Sequence, residues 1–273
     1  MRCAPFCDAQ LVGVTVLATE VERNTVLAES EHFGIPAHIH VCVTAAGSVI
    51  LDVRRDKYLG LGREDTEMLA NAVPGWPKPV WQRSLYRVPR PRSEAAHAMC
   101  ESLAADSVLE RVSVAENARV VPALRDMRRE WISIGDELEV RGRITLRHVV
   151  NFLSAYLWMR YSLARRPFSK VVEEVTARKT RGASDILGCD INRLAARVDV
   201  FRQLRPLAFA AEGHCLLHAL TLVRFLSHYQ FHPEWVIGVT TQPWGAHSWV
   251  QWGNYLLDSN PEKVCGYTPI MMV

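Results

Sequence analysis

The 273-residue chain is 49% hydrophobic and 22% charged, the balance of a globular protein with a buried core rather than of a disordered or fibrous one. A net charge of +3, with no run of five or more like charges, argues against a nucleic-acid surface and allows at most a mild preference for an acidic partner. No apolar stretch approaches the roughly 18 residues that cross a bilayer. The stretch at 11–18 follows Asp8 and Gln10 rather than a basic lead-in, with no small-residue cleavage site before Glu20, so the chain is expected to be cytoplasmic, without a membrane partner.

In chain order, residues 1–33 carry no strong pattern and read as an N-terminal extension. Val41, Val43, Val49, Leu51 and Val53 flank a Gly47 turn, so 38–44 and 48–54 form a hairpin. A third short strand follows at 58–61, then a helix over 63–73. Five prolines between 74 and 91 mark a loop, and a helix is expected over 93–104. Residues 113–142 have no clear periodicity and read as a linker. Apolar spacing then predicts helices over 144–164, 168–177 and 191–204, the last two separated by a Gly/Ser/Asp loop.

The last sixty or so residues change character. A helix over 215–229 has Leu216, Ala219, Leu220, Val223, Phe225 and Leu226 at packing positions. Three strands follow at 235–240, 246–252 and 255–258, broken by Gln242-Pro243-Trp244-Gly245 and Gly253-Asn254. A helix followed by an antiparallel sheet makes the fold class α+β.

The seven cysteines, at 3, 7, 42, 100, 189, 215 and 265, are odd in number, irregularly spaced and lack a C-x-x-C. They form neither a disulfide framework nor a zinc pattern. Cys215 differs from the rest because it opens a helix, where unpaired N–H groups and the helix dipole favour a thiolate and can hold an oxyanion. His247 begins the alternating strand and Asp258 ends the next one. Neighbouring antiparallel strands can bring a His and an Asp together, and a helix packed across them can aim its N-terminal Cys at the imidazole. Each residue taken singly has an ordinary reading: a small buried Cys, a core His, a turn-forming Asp. Their order along helix, strand and strand gives them a joint meaning as nucleophile, base and orienting carboxylate. His214 with His218 and His228 with His232 are i, i+4 pairs, but neither has an obvious third ligand, so no metal is expected. No G-x-x-x-x-G-K-[ST] is present, so any nucleotide dependence falls to a partner.

The run Gly213-His214-Cys215-Leu216-Leu217-His218-Ala219-Leu220, then Val236-Ile237-Gly238-Val239, then Ala246-His247-Ser248-Trp249-Val250, then Leu257-Asp258 resembles the transglutaminase-like cysteine peptidases of lasso peptide biosynthesis, the lasso B proteins. That family more often has an acidic residue after the Trp-Val, where this chain has Gln251. Residues 36–41, 49–52 and 55–61 resemble the leader-recognition element fused to such peptidases, a winged-helix-like module of three strands plus helices. The resemblance implies a recognition module over 34–112, and a transglutaminase-like, papain-like cysteine peptidase domain over 143–273.

It further implies that a leader peptide adds as a strand against Lys57, Tyr58, Leu59, Gly60 and Leu61, with the helix near 95–103 as the groove wall. The catalytic residues would be Cys215, His247 and Asp258. The substrate would be a ribosomally made lasso precursor, with no cofactor of the protein's own. The released core would pass to an asparagine-synthetase-like lasso cyclase, through which any ATP dependence would enter. Two other readings share the same residues: an acyl or amide transferase, and a non-catalytic peptide-binding scaffold.

Overall fold

The structure is a computed structural model that describes residues 32–79, 81, 94–112, 131–138, 140–181, 190–209 and 213–273. Most of the N-terminal extension, most of the proline-rich loop, residues 113–130 of the expected linker and most of the 181–190 loop lie outside the described residues. The architecture mixes helix and sheet in two compact units, represented by residues 32–112 and 131–273. None of the described helices is long and apolar enough to cross a membrane.

In the first unit, β1 (His32–Gly34) pairs antiparallel with β5 (Glu110–Val112). Strands β2 (Ile39–Thr44), β3 (Gly47–Asp52) and β4 (Lys57–Leu61) form an antiparallel sheet in that order, which leaves β4 at one end. Gly47 has φ +145, and a Cβ there would meet the Leu61 carbonyl oxygen at 1.9 Å, so only glycine lets β3 start this close to β4. Asp52 closes the next turn by accepting the N–H groups of Arg54 at 2.9 Å and Arg55 at 3.1 Å. Helices α1 (Arg63–Ala72) and α2 (Glu94–Ala105) complete the unit. Its core joins Ile39, Val41 and Ile50 of the sheet to Leu69, Cys100 and Leu103 of the helices, with Leu59 and Leu61 of β4 packed against it.

The second unit begins with β6 (Ile132–Ser133) and the short α3 (Ile134–Glu137). Helices α4 (Leu146–Arg165), α5 (Phe168–Arg181), α6 (Ile191–Leu204) and α7 (Cys215–Ser227) follow. Asp190 caps α6 by accepting N–H groups from Asn192 and Arg193. Strands β7 (Glu234–Thr241), β8 (Trp244–Trp252) and β9 (Tyr255–Leu256), the short α8 (Pro261–Val264) and β10 (Thr268–Met272) end the chain. The sheet order is β10-β7-β8-β9-β6. It is antiparallel except where β6, from the stretch read as a linker, runs parallel to β9.

Helix α7 packs on β7 and β8 on one side and on α4 and α6 on the other. Ala219, Leu220, Leu222, Phe225 and Leu226 are fully buried along it, and side chains of this kind contribute about 1.5–3 kcal/mol each for the larger ones. Phe152 of α4, Phe201 of α6 and Phe225 of α7 meet edge-to-face or tilted, with centroids 5.3 to 6.5 Å apart. On the sheet side, the buried Trp235 indole donates to Ser248 Oγ at 2.7 Å, which satisfies both polar groups.

Gly238 of β7 stands directly opposite His247 of β8. A Cβ at Gly238 would lie 2.7 Å from the Trp249 ring and 3.0 Å from Tyr267 Cβ. Both obstacles are packed side chains rather than flexible tips. Gly238→Ala is expected to destabilise the protein by about 1–3 kcal/mol through overpacking. Gly245→Ala, where the nearest atom would be at 3.4 Å, should cost clearly less. Urea denaturation of the two variants checks the difference.

Candidate active site

Cys215 is the first residue of α7 and is partly exposed. Gly213, at φ +113, turns the chain into the helix, and His214 at the N-cap makes no side-chain capping bond. The first intrahelical bond shown runs from the His218 N–H to the His214 carbonyl at 2.9 Å. The N–H groups of the first turn therefore point outward without helical acceptors, beside the sulfur. That is the donor set and the positive end of a dipole that a thiolate or an acyl oxyanion requires.

The other described cysteines lack this setting. Burial pushes the Cys42 thiol up to about 12 and the Cys100 thiol to about 11, so neither forms thiolate near neutrality. Cys265 is exposed, with its Sγ 3.1 Å from the Glu262 carbonyl oxygen.

A cleft of about 480 Å³ at the start of α7 is lined by Cys215, His247 and Asp258, together with His214, His218, Arg205, Phe209, Ser248, Ser259 and Lys263. The three residues expected to act together thus share one concavity. His247 is 6% exposed. Its ring stacks on Trp249 at 6.2 Å and lies tilted against Tyr267 at 5.3 Å, and its Nε2 is 3.4 Å from Ser259 Oγ.

Trp249 is itself held: its indole N–H donates to Gln251 Oε1 at 3.0 Å, and Gln251 Nε2 donates to Glu234 at 3.0 Å. Gln251, unusual against the family resemblance, therefore fits its place. A carboxylate there would face Glu234 in a buried position and repel it.

Burial is the main reason that the His247 imidazole is pushed down to about 4. The positive charges of Lys263 and His218 act in the same direction, and only Asp258 opposes them. At neutral pH His247 is consequently an unprotonated base, able to accept a thiol proton.

Asp258 lies two residues beyond β9 rather than within a strand, and its side chain is 3% exposed. Its Oδ1 accepts the Val250 N–H at 2.8 Å, which ties the loop after β9 back onto β8. Its Oδ2 faces His218 Nδ1 at 3.4 Å. No hydrogen bond joins Asp258 to His247 among the described residues, so the carboxylate acts on the base through its charge in this arrangement. The Arg202 guanidinium adds a further tie by donating to the Leu257 carbonyl at 3.1 Å. His218, which sequence spacing groups with His214, belongs with Asp258. Its place one turn after Cys215 signals the cleft side of the same helix, but not its partner.

Lys57, Tyr58, Leu59, Gly60 and Leu61 all lie on β4 in the other unit, at the end of its three-stranded sheet. Lys57 is exposed and the other four are partly buried. Among the described residues no three His, Cys, Asp or Glu side chains cluster as a metal site.

Residues 152–272 match the family model of the transglutaminase-like superfamily. No curated protein and no solved structure gives a significant match to the chain. The matched span runs from α4 to β10 and contains Cys215, His247 and Asp258. It is compatible with cysteine peptidase or acyl-transferase chemistry.

Two outcomes are expected. Iodoacetamide applied to the native protein should label Cys215 and Cys265 while sparing Cys42 and Cys100, as read by peptide mass mapping; labelling of the buried pair at the same rate would contradict the assignment. Because folding depresses the His247 proton affinity, the unfolded chain takes up a proton first as pH falls. Its stabilising contribution is complete above about 6.5 and is lost towards pH 4, by at most about 3 kcal/mol. The difference in urea stability between wild type and His247→Gln should therefore narrow across that window.

Proposed function

We propose that the chain is a cysteine peptidase that removes the leader from a ribosomally made lasso precursor peptide. The observation that carries the chemistry is the shared cleft lined by Cys215, at a helix N-terminus, with His247 and Asp258. His247 takes the Cys215 proton, and the thiolate attacks the scissile carbonyl. The first-turn N–H groups of α7 stabilise the oxyanion. Imidazolium then protonates the departing amine, neutral imidazole activates water, and acid product leaves. The Asp258 anion favours the charged form of His247 at each protonated stage.

The family model supports the catalytic class and leaves the choice between water and an amine as acceptor to experiment. The leader-binding role rests on the likeness of residues 36–61 to leader-recognition elements. The end position of β4, with two helices after it, suits an added strand along Lys57–Leu61 and a wall formed by α2. The asparagine-synthetase-like cyclase would take the freed core and supply any ATP dependence. In this role the protein would act in the cytoplasm.

Full-length protein incubated with a lasso precursor should release a leader ending in a free acid. Cys215→Ala and His247→Ala should abolish cleavage, and Asp258→Asn should slow it by about 10²–10⁴-fold. Mass spectrometry in the presence of an added amine separates the alternatives: an amide adduct in place of acid would make the protein a transferase, and cleavage undiminished in Cys215→Ala would remove the mechanism.

A further inference from the structure

The Asp258 carboxylate is nearly fully buried, yet its polar contacts are Val250 N–H on Oδ1 and His218 Nδ1 on Oδ2, at 2.8 and 3.4 Å. His218 is 12% exposed in its side chain. Its ring is held edge-on by Phe201 at 5.3 Å and by Phe209 at 5.2 Å. Its Nε2 is buried without a hydrogen-bond partner. An apolar wall thus fixes the ring so that only Nδ1 reaches a polar group.

Tautomer chemistry follows from this placement. With the proton on Nε2 alone, a donor would be stranded in the apolar wall and the Nδ1 lone pair would face a carboxylate. With the proton on Nδ1, the contact is attractive and only an acceptor is left unmatched. The imidazolium also carries a proton on Nδ1, so the contact is attractive in that state as well.

We infer that His218 is a positioning residue, which holds the Asp258 carboxylate aimed into the cleft so that its charge reaches His247. It does so from the helix that carries Cys215, and therefore links the nucleophile's element directly to the anion. Without the Nδ1 proton facing Oδ2, the carboxylate would be tied by the Val250 N–H alone and would be free to turn away from the cleft. The thiolate–imidazolium pair would then lose its nearby negative charge. The charged and titratable groups lining the cleft around this network are Cys215 from α7, His214 at its N-cap, His247 from β8, Lys263 from α8 and Arg205 from the turn after α6.

This inference rests on Cys215 being the nucleophile, and the test separates the two ideas. The probe is iodoacetamide, with the alkylation rate at Cys215 followed against pH by peptide mass mapping of the full chain. The wild-type rate profile is the reference, with Cys215 expected to be alkylated faster than the exposed Cys265 at pH 6 because it sits at a helix N-terminus. His218→Leu should shift that profile upward by about one unit, or about tenfold slower alkylation at pH 6. His218→Asn places an amide N–H where Nδ1 stands and should keep most of the wild-type profile. His218→Gln, which places its amide near Nε2, should behave like His218→Leu. The Asn and Gln pair decides the matter if the Leu variant fails to fold.

A wild-type Cys215 that reacts only as an ordinary thiol would sink the peptidase reading itself. An early-reacting wild type with an unchanged profile in His218→Leu or His218→Gln would overturn the positioning role. So would equal loss in Asn and Gln, since a purely structural site would not distinguish them.

Discussion

Helix α7 is buried along most of its length between the sheet and two other helices, and that immobility is what the site depends on. Ala219, Leu220, Leu222, Phe225 and Leu226 have no exposure, so the helix can neither slide nor roll without opening cavities that cost several kcal/mol. A cysteine at its first position inherits that rigidity without being buried itself. The same fixed helix presents His218 one turn later, and β8 presents His247 from the sheet on which α7 rests. The relative placement of nucleophile and base is therefore a property of helix-on-sheet packing.

The sheet supports the base in a complementary way. Gly238 leaves room for the Trp249 ring, Gln251 and Glu234 pin the indole, and the indole stacks on His247. Each contact passes orientation inward from the sheet's packing to the imidazole. Asp258 enters from a loop, which is the least constrained element, and it correspondingly has the most ties: Val250 N–H, His218 Nδ1 and, through the Leu257 carbonyl, Arg202. A loop residue needs such anchoring, whereas a residue on a strand receives it from the ladder.

Much of this arrangement was legible along the chain. The helices at 191–204 and 215–229, the hairpin around Gly47 and the strands carrying His247 follow from local periodicity and turn residues. Elements defined by a distant partner were not. The pair Ile132–Ser133 is a strand only because β9 lies beside it, and Thr268–Met272 only because β7 has a free edge. Helix α4 marks another limit. Phe152, Ala155 and Met159 face the core, but Val150, Leu153 and Leu157 are exposed, so periodicity predicts a helix there without saying which apolar face is buried. At the site, Cys215, His247 and Asp258 could be ordered by chain logic, while His218 could not be assigned to Asp258. That pairing depends on how the loop after β9 folds back to Val250, and no local pattern encodes it.

The electrostatics of the cleft follow from these packing choices. Burial alone would keep His247 neutral and would also disfavour the imidazolium that must form when it takes the cysteine proton. Lys263 and His218 add to that penalty, and Asp258 alone opposes it. A base with low proton affinity returns its proton readily to a departing amine, which favours the second half of acyl transfer. It accepts the thiol proton poorly, which would slow the first half. The helix N-terminus compensates on the other partner by stabilising the thiolate, so the pair need not rely on a strong base. The demand on Asp258 is then a graded one, because its negative charge must be close enough to His247 to make the imidazolium accessible, but not so close as to trap it. A carboxylate shared between a backbone N–H and His218, and acting on His247 through space, meets that requirement better than one committed wholly to the base.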